Sequence, residues 1–444
     1  MRQKTRITSR RAFLKSAAAS LTWPYIVPAC ALGAGARPAP SNRLTMGLIG
    51  LGSMGMRHVK GFLQADDCRI IAVCDVDAAR RRTAVEEINN HYRSEDCAQY
   101  NDFRDLIARD DIDTLCISVP DHWHSITAIM GLRAGKDIYG EKPLALTIAQ
   151  GRDLVEAVNR YGAVWQTGSW QRSTEHFRFA CELVRNQRIG RLQRIEVGIG
   201  FGFNPGGGRS TVSHIDPQPP MPVPDSFDYE AWLGPAPWAP YTQNRCHWNF
   251  RWLLDYSGGQ VTDWGAHHID IAHWGMDCDE TGPVEIHGTG LFPKDGLWDA
   301  AFDYEFECRY ANGLTMYVGS NNHYRQGVRF IGDRGWVHVT RGGISTEPES
   351  VLKGKIGPDE IHLTRPSGDH RQGHLRDFLD CVKTRAQTIS PVEVGHRSVT
   401  VAHLGNIAMI LGRKIKWDPK REIILDDLTA NRMLSRPIRS GRHL

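Results

Sequence analysis

The sequence predicts an α/β domain built on a parallel sheet, followed by an α+β domain with a large, mostly antiparallel sheet. Two observations lead to this fold class. Between residues 44 and 168, short apolar runs alternate with stretches of helical periodicity, as in a sheet covered by helices on both faces. Beyond Gly190, longer runs of alternating apolar and polar residues take over, as in strands with one buried face.

Strands and helices alternate through the first half, with short connections between them. The predicted strands are Leu44–Ile49, Arg69–Cys74, Thr114–Val119, Asp137–Tyr139 and Val164–Thr167. The predicted helices are Met54–Ala65, Asp77–Asn89, Asp102–Arg109, His124–Ala134 and Thr147–Tyr161. This order is typical of a doubly wound sheet, in which ligands bind at the carboxyl ends of the strands.

A glycine-rich turn follows the first predicted strand. Gly50 permits a tight turn, Gly52 allows close approach of a pyrophosphate, and Gly55 allows close packing of the helix. The same turn contains Ser53 and Met54, whose backbone N–H groups would face the phosphates at the start of the helix. The pattern predicts that residues 44–168 form a Rossmann-type nucleotide domain with these five residues in contact with the cofactor.

Asp75 ends the second predicted strand, 20 residues beyond Gly55. A carboxylate there accepts from both ribose hydroxyls and repels a 2′-phosphate, which favours NAD over NADP. The next helix carries Arg80, Arg81 and Arg82. These could reach a 2′-phosphate if they turned inward, but we interpret them as a solvated helix face.

Two polar clusters follow later strands of the same predicted sheet. Pro120, His122 and His124 come after the strand ending at Val119, and Glu141 and Lys142 follow the strand ending near Tyr139. Because both clusters lie on the ligand-binding edge, we expect all five residues to contact the cofactor.

The second domain is predicted to span residues 169–425, with a C-terminal tail over 426–444. Its predicted strands are Leu192–Gly200, Ala301–Tyr310, Leu314–Ser320, Val328–Ile331 and Trp336–Thr340. A mostly antiparallel sheet leaves one face free for a partner, so we expect a homo-oligomer.

Asp263 and His267 form the chemical centre of this domain. If the segment after Gly259 is one helix, they lie one turn apart on one face, and the carboxylate can orient the imidazole. Gly265 within that helix then indicates close approach of a backbone or ligand. A metal site formed with His268, Asp270 and His273 is the alternative, but these side chains point in different directions around a helix, so we expect no metal.

Six tryptophans lie between residues 232 and 274, interleaved with polar residues. The flat apolar faces of tryptophan rings, beside hydrogen-bond donors and acceptors, suit a polyhydroxylated ring, so a sugar or glycoside is the expected substrate. Core packing accounts for some of these tryptophans. The candidate substrate contacts are Gln171, Arg172, Trp248, Arg251, Tyr256 and His267.

Residues 1–36 read as a twin-arginine export signal. Arg10 and Arg11 precede an apolar, small-residue run, and Ala34-Gly35-Ala36 is a candidate cleavage site. Lipoprotein anchoring through Cys30 is the alternative, although proline near that cysteine fits it poorly. We therefore expect a periplasmic protein that meets the twin-arginine export machinery.

The remaining chain is close to neutral, because the signal holds six of the 54 basic residues and the chain has 50 acidic ones. This balance gives no indication of nucleic-acid binding. About 400 residues with 41% hydrophobic content suffice for two domains with substantial cores. The cysteines show no metal-ligand spacing and are expected to be buried thiols, with a disulfide as the alternative.

These motifs together resemble the Gfo/Idh/MocA family of glucose–fructose oxidoreductase and inositol dehydrogenase, and its exported twin-arginine subgroup in particular. The resemblance implies an NAD(H)-dependent carbohydrate oxidoreductase in which Lys142, Asp263 and His267 act on a substrate hydroxyl. It leaves open whether Lys142 or His267 is the base.

Because the periplasm supplies little dinucleotide, we expect the cofactor to be held through turnover. Two alternatives remain: an NAD-dependent glycosidase or lyase with transient oxidation and no net redox change, and a non-catalytic sugar sensor with a retained nucleotide.

Overall fold

The structure is a computed structural model that describes residues 38–439 except 201, 209 and 369. The predicted export signal, with Arg10, Arg11 and Cys30, lies outside the described residues. The chain divides into two compact units, residues 1–43 and 44–444. In the described part of the first, a short 3₁₀ helix spans Pro40–Asn42. No helix among the described residues is long and apolar enough to cross a membrane.

The first half of the larger unit is a six-stranded parallel sheet in the order β3-β2-β1-β4-β5-β6, which is a Rossmann fold. Its strands are β1 Leu44–Ile49, β2 Cys68–Cys74, β3 Ala98–Tyr100, β4 Thr114–Ile117, β5 Asp137–Gly140 and β6 Trp165–Thr167. The helices between them are α1 Ser53–Phe62, α2 Ala78–Tyr92, α3 Phe103–Ile107, α4 Asp121–Arg133 and α5 Ile148–Tyr161. The predicted parallel sheet is confirmed, with β3 as an additional edge strand.

The second half is built on a nine-stranded sheet in the order β13-β12-β11-β7-β10-β9-β8-β14-β15. These strands are β7 Leu192–Gly198, β8 Glu285–Leu291, β9 Asp303–Arg309, β10 Thr315–Gly319, β11 Gly327–Gly332, β12 Gly335–Thr340, β13 Gly343–Glu347, β14 Ile415–Asp418 and β15 Ile423–Leu425. Among the described pairings, β7 with β10 is parallel and the others are antiparallel. The predicted α+β domain is thereby confirmed.

Seven α-helices of the described chain follow β6. They are α6 Glu175–Arg185, α7 Tyr229–Leu233, α8 Gly259–Asp263, α9 Gly265–Met276, α10 His370–Thr384, α11 Val392–Leu411 and α12 Leu428–Arg432. The predicted tail begins at residue 426 and therefore contains α12, whose Ala430 is buried in the core of the second sheet.

Helix α10 belongs to the core of the first sheet, although it lies some 200 residues beyond that sheet in the chain. Its Leu375, Phe378, Leu379 and Val382 pack in one cluster with apolar side chains of β1, β2 and α1. Helix α11 contributes Val392 to the other face of the first sheet and side chains such as Leu404 to the core of the second. The nucleotide half is therefore completed by residues outside 44–168.

The cysteines in the described part of the chain are all buried free thiols. Burial raises the pKa of Cys68 to about 12 and that of Cys381 to about 11. Such thiols are unreactive at neutral pH.

Candidate active site

A cavity of about 510 Å³ runs along the carboxyl edge of the first sheet. At one end it is lined by Gly50, Gly52, Ser53, Met54 and Asp75, and at the other by Pro120, His124, Glu141 and Lys142. Residues of the second half close it from the opposite side, among them Trp232, His247, Trp248 and Arg251. The volume is in the range of small-molecule and cofactor sites.

The glycine turn has the geometry that a dinucleotide requires. Gly50 adopts φ +88°, and a side chain there would meet the Ser118 carbonyl oxygen at 2.5 Å. A Cβ at Gly55 would lie 1.9 Å from the Gly50 carbonyl oxygen, so the helix can pack this closely only on glycine. Gly52 caps α1 without a side-chain hydrogen bond, which leaves N–H groups of the first turn free for phosphate.

Asp75 lies at the adenosine end of the cavity. Its carboxylate accepts from the N–H of Leu51 at 2.6 Å and from the N–H of Asp77 at 2.9 Å, which fixes its orientation. Burial raises the pKa of Asp75, while the nearby Arg80 and the two N–H donors act in the opposite direction. The lining residues thus fit NAD, with Asp75 placed for the ribose.

Two of the three arginines on α2 turn inward, so their interpretation as a solvated face is wrong for these two. Arg80 lines the cavity and bonds His247 Nδ1 at 2.7 Å. Arg81 donates to the Asp75 carbonyl oxygen and to Asn101 Oδ1, whereas Arg82 is exposed. A cation therefore lies beside the Asp75 carboxylate.

The two histidines after β4 have different positions. The ring nitrogens of His124 lie 2.7 Å from the Val119 carbonyl oxygen and 2.6 Å from that of Pro143, at the cavity wall. His122 faces away from the cavity, with Nε2 at 2.9 Å from the Trp232 carbonyl oxygen and its ring against Trp232 and Tyr256. The expected cofactor contact of His122 is therefore corrected to an anchor between the two halves.

Lys142 and Asp263 form a buried ion pair at the edge of the cavity. Lys142 Nζ donates to Asp263 Oδ1 at 2.7 Å and to the Asp263 carbonyl oxygen at 3.1 Å. Arg251 Nε lies 3.3 Å from the same carboxylate oxygen. Burial raises the pKa of Asp263, but the charges of Lys142 and Arg251 outweigh it and lower the pKa to about 2. Asp263 therefore holds two cations beside the cavity.

The expected contact between Asp263 and His267 is absent, because the segment is not one helix. The His267 N–H bonds the Trp264 carbonyl oxygen at 3.0 Å instead of that of Asp263, which frees the Asp263 carbonyl for Lys142. Helix α8 accordingly ends at Asp263, and Gly265 is the first residue of α9. A Cβ at Gly265 would meet the Ile269 and Ala402 side chains, so the predicted close approach of a backbone or ligand is also wrong.

His267 is 4% exposed, and its Nδ1 has no hydrogen-bond partner in the described structure. Burial lowers its pKa well below 6.5, and the charges of Arg341 and Lys142 lower it further. The imidazole is consequently neutral near pH 7.

Arg172 and Tyr256, which are predicted substrate contacts, are buried and engaged by other protein groups. The Arg172 guanidinium donates to both Asp270 and Asp279, and the Tyr256 hydroxyl accepts from Arg245 in an aromatic core. Both are corrected to structural residues. The neighbouring imidazoles are likewise engaged: His268 Nδ1 with the Gly198 carbonyl oxygen at 3.0 Å and His273 Nε2 with the Tyr310 hydroxyl at 2.7 Å.

Two family models match the chain across both halves. Residues 44–169 match "Oxidoreductase family, NAD-binding Rossmann fold", and residues 181–444 match "Oxidoreductase family, C-terminal alpha/beta domain", the two domains of the Gfo/Idh/MocA oxidoreductases. The chain belongs to the Gfo/Idh/MocA family. Its first half is an NAD-binding Rossmann domain, as the sequence predicts.

Curated relatives of this Gfo/Idh/MocA protein fall into two groups. The uncharacterized oxidoreductase YrbE of Bacillus subtilis is 22% identical over 395 residues, 86% of this chain and 99% of its own. Glycosyl hydrolase family 109 protein 1 of Shewanella sp. MR-4 is 38% identical over 126 residues, 28% of each chain. The alpha-N-acetylgalactosaminidase of Shewanella oneidensis is 34% identical over 170 residues, 34% of this chain and 37% of its own. The matches to the hydrolases thus span about a third of their length or less.

Solved structures share the fold over nearly their whole length. The WlbA dehydrogenase of Bordetella pertussis, in complex with NADH and UDP-GlcNAcA, gives a TM-score of 0.61 at 15% identity over 85% of this chain and 99% of its own. The aldose-aldose oxidoreductase of Caulobacter crescentus, complexed with glycerol, gives 0.62 at 19% identity over 84% and 99%.

Several residues of the site in this family member carry no signal in the sequence. His58 Nε2 lies 2.8 Å from Glu141 Oε1, and this bond helps lower the pKa of Glu141 despite its burial. Trp170 and Trp264 each have a ring centroid 6.3 Å from that of His267. Arg341 lies over both tryptophans. These residues come from distant segments, so no local motif connects them.

Proposed function

We propose that this protein is a carbohydrate oxidoreductase that moves a hydride between a hydroxyl-bearing carbon of a sugar and a tightly held NAD. The observation that carries the proposal is the Lys142–Asp263 pair at the edge of the NAD cavity, close to a neutral His267. NAD, when bound, supplies the hydride acceptor. The carbohydrate oxidoreductase among the structural relatives supports the substrate class.

The protein residues then handle the substrate hydroxyl. Lys142, paired with Asp263, donates a hydrogen bond to the hydroxyl oxygen and stabilises the negative charge that grows as the proton leaves. His267 is neutral, so it is the better proton acceptor of the two. We therefore assign the base to His267 and electrostatic stabilisation to Lys142.

A segment of the second half supports retention of the cofactor. Residues 224–251, which we call the strap, cover the adenosine end of the cavity. The N–H of Ala78 donates to the Ser226 carbonyl oxygen at 2.8 Å, and the N–H of Asp228 donates to the Val76 carbonyl oxygen at 2.9 Å. Asn101 Nδ2 also donates to Asp228 Oδ2 at 2.8 Å. NAD release requires the strap to open, so slow release is expected.

Absorbance of the purified protein tests retention first. We expect a nicotinamide signal that survives gel filtration, and reduction of the bound cofactor when sugars are added in stoichiometric amounts. Protein without bound nucleotide contradicts retention, and a bound cofactor that no sugar reduces or oxidises contradicts the oxidoreductase proposal.

Redox-assisted glycoside cleavage is the second candidate, and the hydrolase relatives favour it. In this reaction a hydroxyl-bearing carbon of the sugar would first give a hydride to bound NAD and become a carbonyl. The carbon next to this carbonyl then loses a proton. The carbon beyond it loses the glycosidic substituent, which leaves a double bond between these two carbons. Water adds to the double bond and the hydride returns to the carbonyl, so that the net reaction is hydrolysis. Release of aglycone without acceptor, and with NAD unchanged at the end, distinguishes this reaction from net oxidation. If neither reaction occurs, the sensor alternative is favoured.

Asp75 should set the preference for NAD over NADP, while Arg80 beside it acts in the opposite direction. Asp75→Ser is expected to narrow this preference in a binding titration, and Arg80→Gln to widen it. Wild type that binds NADP at least as tightly as NAD contradicts this role of Asp75.

We also propose that the protein is exported by the twin-arginine route and forms a homo-oligomer. Changing Arg10 and Arg11 to lysine should leave folded, NAD-loaded protein in the cytoplasm, because the pair is read by the export machinery and is not part of the fold. Unchanged periplasmic yield contradicts this.

The open face of the nine-stranded sheet is the expected homo-oligomer surface, which light scattering on the full chain tests.

A further inference from the structure

Arg341 and Arg371 lie against Trp170, with Arg57 in their surroundings, and none of the three has a carboxylate partner among the described residues. The guanidinium carbons of Arg341 and Arg371 each lie 4.7 Å from the centroid of Trp170, and Arg341 lies 4.3 Å from that of Trp264. Arg57, on the exposed side of α1, adds a third positive charge to their surroundings.

The cluster carries excess positive charge in a partly buried place. Arg371 Nε is buried and has no hydrogen-bond partner. Burial, together with the charge of Arg371, lowers the pKa of Arg341 to about 10. The nearest carboxylates, Glu141 and Asp263, are already bound by other side chains. Charges removed from water are normally paired, and no anion among the described residues is left to pair with this cluster.

The cluster adjoins the proposed catalytic residues. The Gln171 amide, oriented to satisfy both neighbours, accepts from Arg341 Nε at 2.9 Å and donates to the His267 carbonyl oxygen at 3.1 Å. Trp170 and Trp264 touch both Arg341 and His267. A single sugar molecule could therefore place an anionic substituent at the arginines and a hydroxyl group near His267.

We propose that Arg57, Arg341 and Arg371 bind a negatively charged group of the substrate, so that the sugar is an acidic one. This rests on the proposed function above. Guanidinium groups bind carboxylate, sulfate and phosphate through paired hydrogen bonds, and the three are alternative forms of one anionic substituent. The role of Gln171 is then to hold Arg341 in register with His267, rather than to contact the sugar directly.

The test measures binding separately from turnover. NAD-loaded full-length protein is titrated by calorimetry with glucose, glucuronate, glucose 6-sulfate and glucose 6-phosphate, which differ only at C6. At least one acidic sugar is expected to bind tenfold or more tightly than glucose, and the order among the three identifies the group. The preference should fall about tenfold in Arg341→Gln and Arg371→Gln, and more modestly in Arg57→Gln.

Two controls keep the result interpretable. Arg309→Gln, whose side chain is 59% exposed on the second sheet, should retain the preference. Arg57 is exposed, so Arg57→Gln tests the site even if the two more buried variants do not fold. Equal binding of neutral and acidic sugars, with hydride transfer intact, overturns the anion site and leaves the proposed function standing.

Failure of the proposed function can also be distinguished from failure of the anion site. Arginine-dependent binding of acidic sugars without any reaction supports the anion site and overturns the proposed function. Variants that change the oligomeric state and leave sugar binding unaltered assign the cluster to a second copy of the chain, which contradicts the proposal.

Discussion

Lys142 and His267 are both expected to be required for catalysis. Lys142→Ala and His267→Ala should each lower turnover by about 10² or more, the usual contribution of a positioned acid or base, while NAD remains bound. Steady-state rates on the identified sugar and absorbance of the bound cofactor provide the measurements. Lys60→Ala, whose side chain is 63% exposed, is the matched control. Near-full activity in both single variants contradicts the assignment.

The Lys142–Asp263 pair predicts a particular pH dependence of stability. The pKa of Asp263 is about 2 in the folded protein against an ordinary 3.8, so its contribution is complete above about pH 4 and is lost as pH falls towards 2. The shift corresponds to about 2 kcal/mol. Asp263→Asn should be less stable than wild type at pH 7 by about 3 kcal/mol, since two cations lose their partner.

The free-energy difference between these two proteins should therefore narrow between pH 4 and pH 2, as measured by denaturant unfolding. The exposed Asp111→Asn variant serves as the control for general acid effects. A difference that does not depend on pH would show that Asp263 stabilises the fold by packing alone.

At this scale, motifs predicted the residues of the NAD site well and the substrate side poorly. Gly50, Asp75 and Lys142 lie at the cavity because they follow strands whose position the alternation defines. Arg172 was placed wrongly, since nothing local reveals that Asp270 and Asp279 neutralise it. Arg341 and Arg371 were missed for the same reason: their partners are distant in sequence.

Among the elements, the strap is expected to determine how long NAD stays bound. Asn101→Ala removes the side-chain bond between the nucleotide half and Asp228, which is worth about 1 kcal/mol. It also removes the acceptor of Arg81, but that bond lies within the nucleotide half. The dissociation rate of NAD should rise about fivefold, as measured by displacement in stopped-flow fluorescence. Asn90→Ala, at an exposed position of α2, should leave the rate unchanged. An unchanged rate in Asn101→Ala as well would mean that release does not require the strap to open.

The elements of the first sheet were predictable because apolar runs and helical periodicity are both strong there. β1 was predicted at its observed bounds, and most other ends differ by a few residues. β8 was missed because its sequence, Glu285–Leu291, contains two glycines and few large apolar residues. The break between α8 and α9 was missed because it depends on Lys142, which takes the Asp263 carbonyl from outside the segment.

For the whole molecule, the packing of helix α10 against the first sheet leads us to expect that the two halves unfold together. Phe378 is fully buried against the first sheet, so Phe378→Ala should cost about 3–5 kcal/mol. Cofactor release and loss of tryptophan fluorescence should keep one common midpoint during denaturation, at a lower denaturant concentration than in wild type. Ile410→Ala, on the exposed side of α11, should have little effect. Separate midpoints for the two signals would contradict this coupling.

The same helix sets the timing of NAD loading during synthesis. The ribosome completes the glycine turn early, but the side chains that finish the core beneath it, from Leu375 to Val382, are among the last to emerge. Until then, the nascent nucleotide domain exposes the apolar surface that α10 will cover. We expect a chaperone to bind this surface. We expect NAD to enter only after translation is nearly finished.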